Sequence, residues 1–132
     1  MAKRAIIPPG YHLAAEALKL SPGLISGNHL FLSGVTGAGA DGIMPDDPAT
    51  QFRQAFEKIG LVLTEAGLDF GAIAEMTTYH VGLREHFELF SSVRAEFVRN
   101  PYPAWTAIEA AALRRERALV EIRVIADMTS ST

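Results

Sequence analysis

The chain has 132 residues, a net charge of −3, no cysteine and 48% hydrophobic residues. That suits one domain over residues 1–132 with a real apolar core, and it excludes disulfides, thiol catalysis and zinc–thiolate sites. The charge gives no basic surface for nucleic acid, and no run approaches the roughly 18 apolar residues that span a bilayer. The start, Lys3-Arg4 followed by Pro8-Pro9, lacks the apolar stretch of a signal peptide, so a cytoplasmic protein is expected.

Lys3 to Ile7 reads as a short edge strand, stopped by Pro8-Pro9-Gly10. Ala14 to Leu20 favours helix by propensity. Ser21-Pro22-Gly23 reads as a turn, and Asn28 to Val35 as a buried strand between glycines. Thr36 to Asp47 is a long loop. Its Gly37-Ala38-Gly39 lacks the offsets and the Lys-Ser/Thr partner of a phosphate cradle. Asp47 and Pro48 then open a helix as cap and first residue. Phe52, Ala55, Phe56, Ile59, Leu63 and Ala66 form its apolar stripe, and Gly67 ends it.

Ala74 to Leu83 reads as a strand, with Met76, Thr78 and His80 on one face and Thr77, Tyr79 and Val81 on the other. Arg84 to Arg99 is a second helix, lined by Phe87, Phe90, Val93 and Phe97 and stopped by Asn100-Pro101. Asn100 to Met128 reads as a β-hairpin around the charged turn Arg114 to Arg117, a turn expected to be solvated. Val120, Ile122, Val124 and Ala126 share one face of its second strand, and Glu121, Arg123, Ile125 and Asp127 share the other. The order implies a two-layer α+β domain: a mixed sheet with two helices on one face. The second face would expose apolar residues, so the chain is expected to associate.

Pro103-Ala104-Trp105-Thr106-Ala107-Ile108 and Val120-Glu121-Ile122-Arg123-Val124-Ile125-Ala126 resemble the closing signature of the YjgF/RidA family, from about Gly27 to Ala126. Tyr102-Pro103 before Trp105, with Tyr79-His80 earlier, is similar to the family's YjgH-type branch. The resemblance implies a chorismate-mutase-like fold, a homotrimer with clefts between subunits, and a strand near Ala17 to Leu20. It also implies hydrolysis of small enamines or imines without a cofactor. Glu121 matches the family's catalytic glutamate, and Ser33-Gly34 a pair lining its pocket. Trp105 stands where the family has a carboxylate-binding arginine, and an indole has one donor and no charge.

Each candidate has a structural reading beside the functional one. Glu121 is either the residue that positions water or an interface-paired carboxylate. Trp105 is either interface core or an aromatic wall of the cleft. His80 is either a ligand contact or a satisfied core histidine. Tyr102 stands with Trp105 as a substrate-binding candidate. Asp46-Asp47 read as turn and cap residues. No histidine–carboxylate spacing suggests a metal site. Nothing supports the name endoribonuclease sometimes attached to the family, since no basic groove or acid–base histidine pair is present. The alternative to an enzyme is a non-catalytic, ligand-binding or chaperone-like trimer.

Overall fold

The first long helix opens and closes where its residues dictate. In the computed structural model, described over residues 2–129, this helix runs Pro48–Glu65. Asp47 caps it by accepting from the Thr50 N–H at 2.9 Å and the Thr50 hydroxyl at 2.8 Å. At the far end Gly67 adopts φ +80°. The Gly67 N–H then donates to Thr64 O and the Leu68 N–H to Leu63 O, a Schellman closure.

In chain order the elements are β1 (Arg4–Ile6), α1 (His12–Leu18), β2 (Gly23–Ser26), β3 (His29–Leu32), α2 (Pro48–Glu65), β4 (Ile73–His80), α3 (Leu83–Ala95), β5 (Ala104–Glu109) and β6 (Val120–Asp127). The strands form one sheet in the order β1-β2-β3-β6-β4-β5. The domain expected over residues 1–132 includes Met1 and 130–132, which lie outside the described residues.

The expected hairpin of the C-terminal region does not form. β5 pairs parallel with β4, setting Trp105 beside Met76. β6 pairs antiparallel with the other edge of β4, setting Ile122 beside Thr78 and Glu121 beside Tyr79. The reason is the crossover: a strand that follows a helix packed on the sheet returns parallel to the strand before that helix. β6 then takes the central place between β3 and β4. There its Val120, Ile122, Val124 and Ala126 are fully buried. The connection before β6 is pinned by Gln51, itself buried. Its Nε2 donates to Pro45 O and Arg117 O, and its Oε1 accepts from the Leu119 N–H.

One further expectation needs correction. Ala14 to Leu20 contains no strand; α1 covers His12–Leu18 and ends at Lys19 in the left-handed region. Helix propensity is followed there, and the strand lies later, at Gly23–Ser26, paired to β1 and β3. A Cβ at Gly23 would sit 2.7 Å from Val62 Cγ1, so a glycine lets β2 approach α2. The Arg114–Arg117 turn is solvated as expected, with Arg114, Glu116 and Arg117 exposed. Arg115 donates to Gly42 O and Arg117 pairs with Asp46, docking the turn on the 36–47 loop. Ala38, Met44, Ala118 and Leu113 pack between these two loops. Gly37 has a packing role, since a Cβ there would lie 2.2 Å from Gln51 O.

The main core lies between the sheet and α2 with α3. Phe90, fully buried, joins the layers, with its ring 5.2 Å from Phe52, 5.8 Å from Phe56 and 4.8 Å from His80. The other sheet face carries Leu24, Phe31, Ile125 and Tyr79 beside Glu121 and Arg123; these side chains are half-buried or exposed, and none belongs to the main core. Phe90→Ala should therefore cost about 3–5 kcal/mol. Urea unfolding at fixed protein concentration checks this, and a loss below about 1 kcal/mol would deny Phe90 that role.

Candidate functional site

Side-chain alternation in β6 sends Glu121 to the uncovered face while Val120 and Ile122 enter the core. A bridge holds the segment after β3 alongside: the Val35 N–H donates to Ile122 O and the Ile122 N–H to Val35 O, at 2.9 and 2.8 Å. This places Gly34 against the Glu121 carboxylate. A Cβ on Gly34 would lie 2.3 Å from Glu121 Oε2, so the carboxylate occupies space only glycine leaves free. Ser33 is anchored beside it, its hydroxyl donating to Ser21 O at 2.7 Å. Glu121 is half-buried and has no ion pair or hydrogen bond among the described residues.

A second cluster lies on the helix side of the sheet. Trp105, from edge strand β5, donates its indole N–H to Thr78 Oγ1 at 3.0 Å. The same oxygen lies 2.8 Å from His80 Nε2. His80 is only 1% exposed, and its Nδ1 is buried without a partner. Burial holds its imidazole below the usual histidine range; Glu109 opposes this and His86 reinforces it. Glu109, at the end of β5, caps α3 by accepting from the Gly82 and Leu83 N–H groups. Those bonds hold its carboxyl below the usual range.

The Trp105 ring is covered from α3. Phe87 stacks nearly parallel to it at 5.6 Å. The Arg94 guanidinium carbon sits 3.8 Å from the indole centroid, a cation–π contact worth about 0.5–2 kcal/mol. Tyr102 lies just before β5, 68% exposed and in neither cluster. Within one chain, then, Glu121 and Gly34 meet on the open face, with Ser33 next in sequence and its hydroxyl given to Ser21 O. Trp105 and His80 meet through Thr78 on the opposite one.

Arg94, Phe87 and Thr78 were not among the sequence candidates. Thr78 shares its strand face with His80, and Arg94 follows Phe87 by two helical turns. Both spacings are readable, but not the placement of β5 under α3 that joins them. Among the described residues no three His, Asp or Glu side chains gather as a metal site. A groove of about 500 Å³ runs between Pro8-Pro9 and the later half of α2, and it shares no residue with either cluster.

The sequence pattern of the family described as Endoribonuclease L-PSP matches residues 12–128. The chain belongs to this family. It is 35% identical over 107 residues to the RutC family protein YjgH of Escherichia coli strain K12, covering 80% of this chain and 82% of that one. It superposes on the solved structure of protein YjgH with a TM-score of 0.88 and 32% identity, over 99% of this chain and 100% of the other. Escherichia coli TdcF with bound serine superposes with a TM-score of 0.73 and 25% identity, over 81% and 86%. The α+β, chorismate-mutase-like architecture expected from the sequence is the one these family members share.

The buried His80 gives this fold a pH signature. The unfolded chain takes up a proton on this histidine near pH 6.5, whereas the folded chain resists until lower pH. Its contribution is therefore complete above about pH 6.5 and is lost as the pH falls through that value. The thermal midpoint should drop from pH 7.5 to 5.5, less steeply in His80→Gln. Identical slopes would assign the dependence to other groups. The depressed carboxylates Asp47, Glu96, Glu109 and Asp127 act only nearer pH 4, where unfolded carboxyls titrate.

Proposed function

We propose that this Rid-family protein hydrolyses small enamine or imine metabolites, or related reactive intermediates, at a cleft completed between the subunits of a homotrimer. The observation that carries the reading is the Glu121 carboxylate, half-buried, without an ion-pair or hydrogen-bond partner among the described residues, and seated against Gly34 on the sheet face away from the helices. Glu121 takes a proton from a water molecule as its oxygen attacks the C=N carbon. Glu121 returns that proton to the nitrogen to give the carbinolamine, then takes the hydroxyl proton and passes it to the amine as the C–N bond breaks, which leaves a ketone and ammonia. No second titratable group or cofactor is needed for that balance.

Trp105 and Glu121 lie on opposite faces of one sheet, so a ligand touching both needs them from different copies. Association at the open face and at edge strand β5 would supply that arrangement, and pockets at such boundaries are physically reasonable. The single donor of Trp105 is already engaged by Thr78. Efficient hydrolysis of 2-aminoacrylate through a carboxylate fork at position 105 is therefore not proposed. Serine bound to TdcF supports a ligand of small-metabolite size. Lack of cysteine suits the reducing cytoplasm, where we place the reaction.

An amino acid oxidase can generate the imine while semicarbazide traps what escapes hydrolysis. The protein should lower trapping, and Glu121→Gln should cut that rate by about 10²- to 10⁴-fold. Trapping unchanged by the folded wild type, or equal hydrolysis by Glu121→Gln, would overturn the reading and leave a protein that binds without turnover.

A further inference from the structure

Arg94 stands out as a cation without a counter-charge. It is half-buried in the last turn of α3, its Nε is fully buried, and it has no hydrogen-bond or ion-pair partner among the described residues. The carboxylate nearest in sequence, Glu96, is engaged elsewhere. Glu96 holds Arg53 through two hydrogen bonds of 3.2 and 2.9 Å, and Glu109 caps α3. Burial pushes the guanidinium down from its usual range, yet an arginine stays protonated. A desolvated, unpaired charge is costly unless something compensates it.

The partial compensation visible is aromatic. The indole of Trp105 lies 3.8 Å beneath the guanidinium carbon, and Phe87 lies nearly parallel to the indole. The guanidinium carbon stands over the indole face. Nε is buried, and the two terminal Nη groups stay accessible to solvent. Such a fork matches the two oxygens of a carboxylate by parallel hydrogen bonds, whereas a tetrahedral phosphate of higher charge calls for more than one cation.

We propose that Arg94, held over the Trp105 ring, is a binding residue for the carboxylate of a small organic acid. The indole is its shelf and Phe87 the apolar wall for the carbon skeleton. This deepens the reading above and rests on it only in treating the Trp105 region as part of the cleft. Position 105 has lost the charge for such a contact, and Arg94 supplies one from the neighbouring helix.

The protein contains one tryptophan, so its indole N–H gives a single nitrogen–proton cross-peak, a reporter placed directly on the shelf. Pyruvate should shift that peak saturably, while chloride at the same ionic strength should not. Arg94→Met, which keeps the stem and removes the charge, should abolish the shift in a protein that remains folded by circular dichroism. Arg94→Lys, which keeps the charge and loses the fork, should weaken binding about tenfold or more. An unmoved peak in the wild type, or equal saturation in Arg94→Met, would overturn the proposal. So would phosphate binding as tightly as pyruvate, which would make Arg94 an unselective anion seat. Pyruvate binding that persists without any imine hydrolysis would sink only the hydrolase reading and uphold this one.

Discussion

Strand β4 is the constraint on which the rest of the molecule depends. It is paired on both edges, parallel to β5 and antiparallel to β6. Because side chains alternate, its two faces serve different purposes. Met76, Thr78 and His80 point towards the helices, where Thr78 accepts from Trp105 and Phe90 closes the core. Thr77 and Tyr79 point the other way, beside Arg123 and Glu121. A shift of one residue in either pairing would exchange those faces and dissolve both clusters.

Much of this was legible in local pattern. The β6 alternation, the α2 stripe and the Asp47–Pro48 start follow from rules that act within a few residues. Glu121 on an exposed face and His80 on a buried one follow from the same alternation. Strand partnership was not legible. β5 and β6 look like a hairpin because they are adjacent in sequence. What separates them is α3, whose packing returns β5 beside β4, together with the anchoring of residue Leu119 by Gln51 some 68 positions earlier. The same non-local geometry hid the Trp105–Arg94 contact. Composition placed aromatic residues along α3 but could not say which strand lay beneath them. The resemblance itself misled at one point: it implied a strand near Ala17 to Leu20, where local propensity forms a helix.

The architecture also explains why family membership and activity are separate questions. The scaffold provides a carboxylate beside a glycine, and it provides an edge strand whose aromatic residue faces the helices. The chemistry depends on which groups meet across copies, and function resides in such sites rather than in the fold. Trp105 and Arg94 meet on the helix side, from a strand and a helix together. Glu121 lies against Gly34 on the opposite face. Each half is positioned by backbone pairing, on opposite faces of the sheet.

The most direct test is therefore the solution mass, measured by sedimentation equilibrium across a range of concentrations on the same sample used for imine hydrolysis. The account predicts a species of three 14.3 kDa chains, with activity lost on dilution into single chains. A stable single chain that turns over substrate undiminished would contradict it, since one chain would then have to complete the site alone.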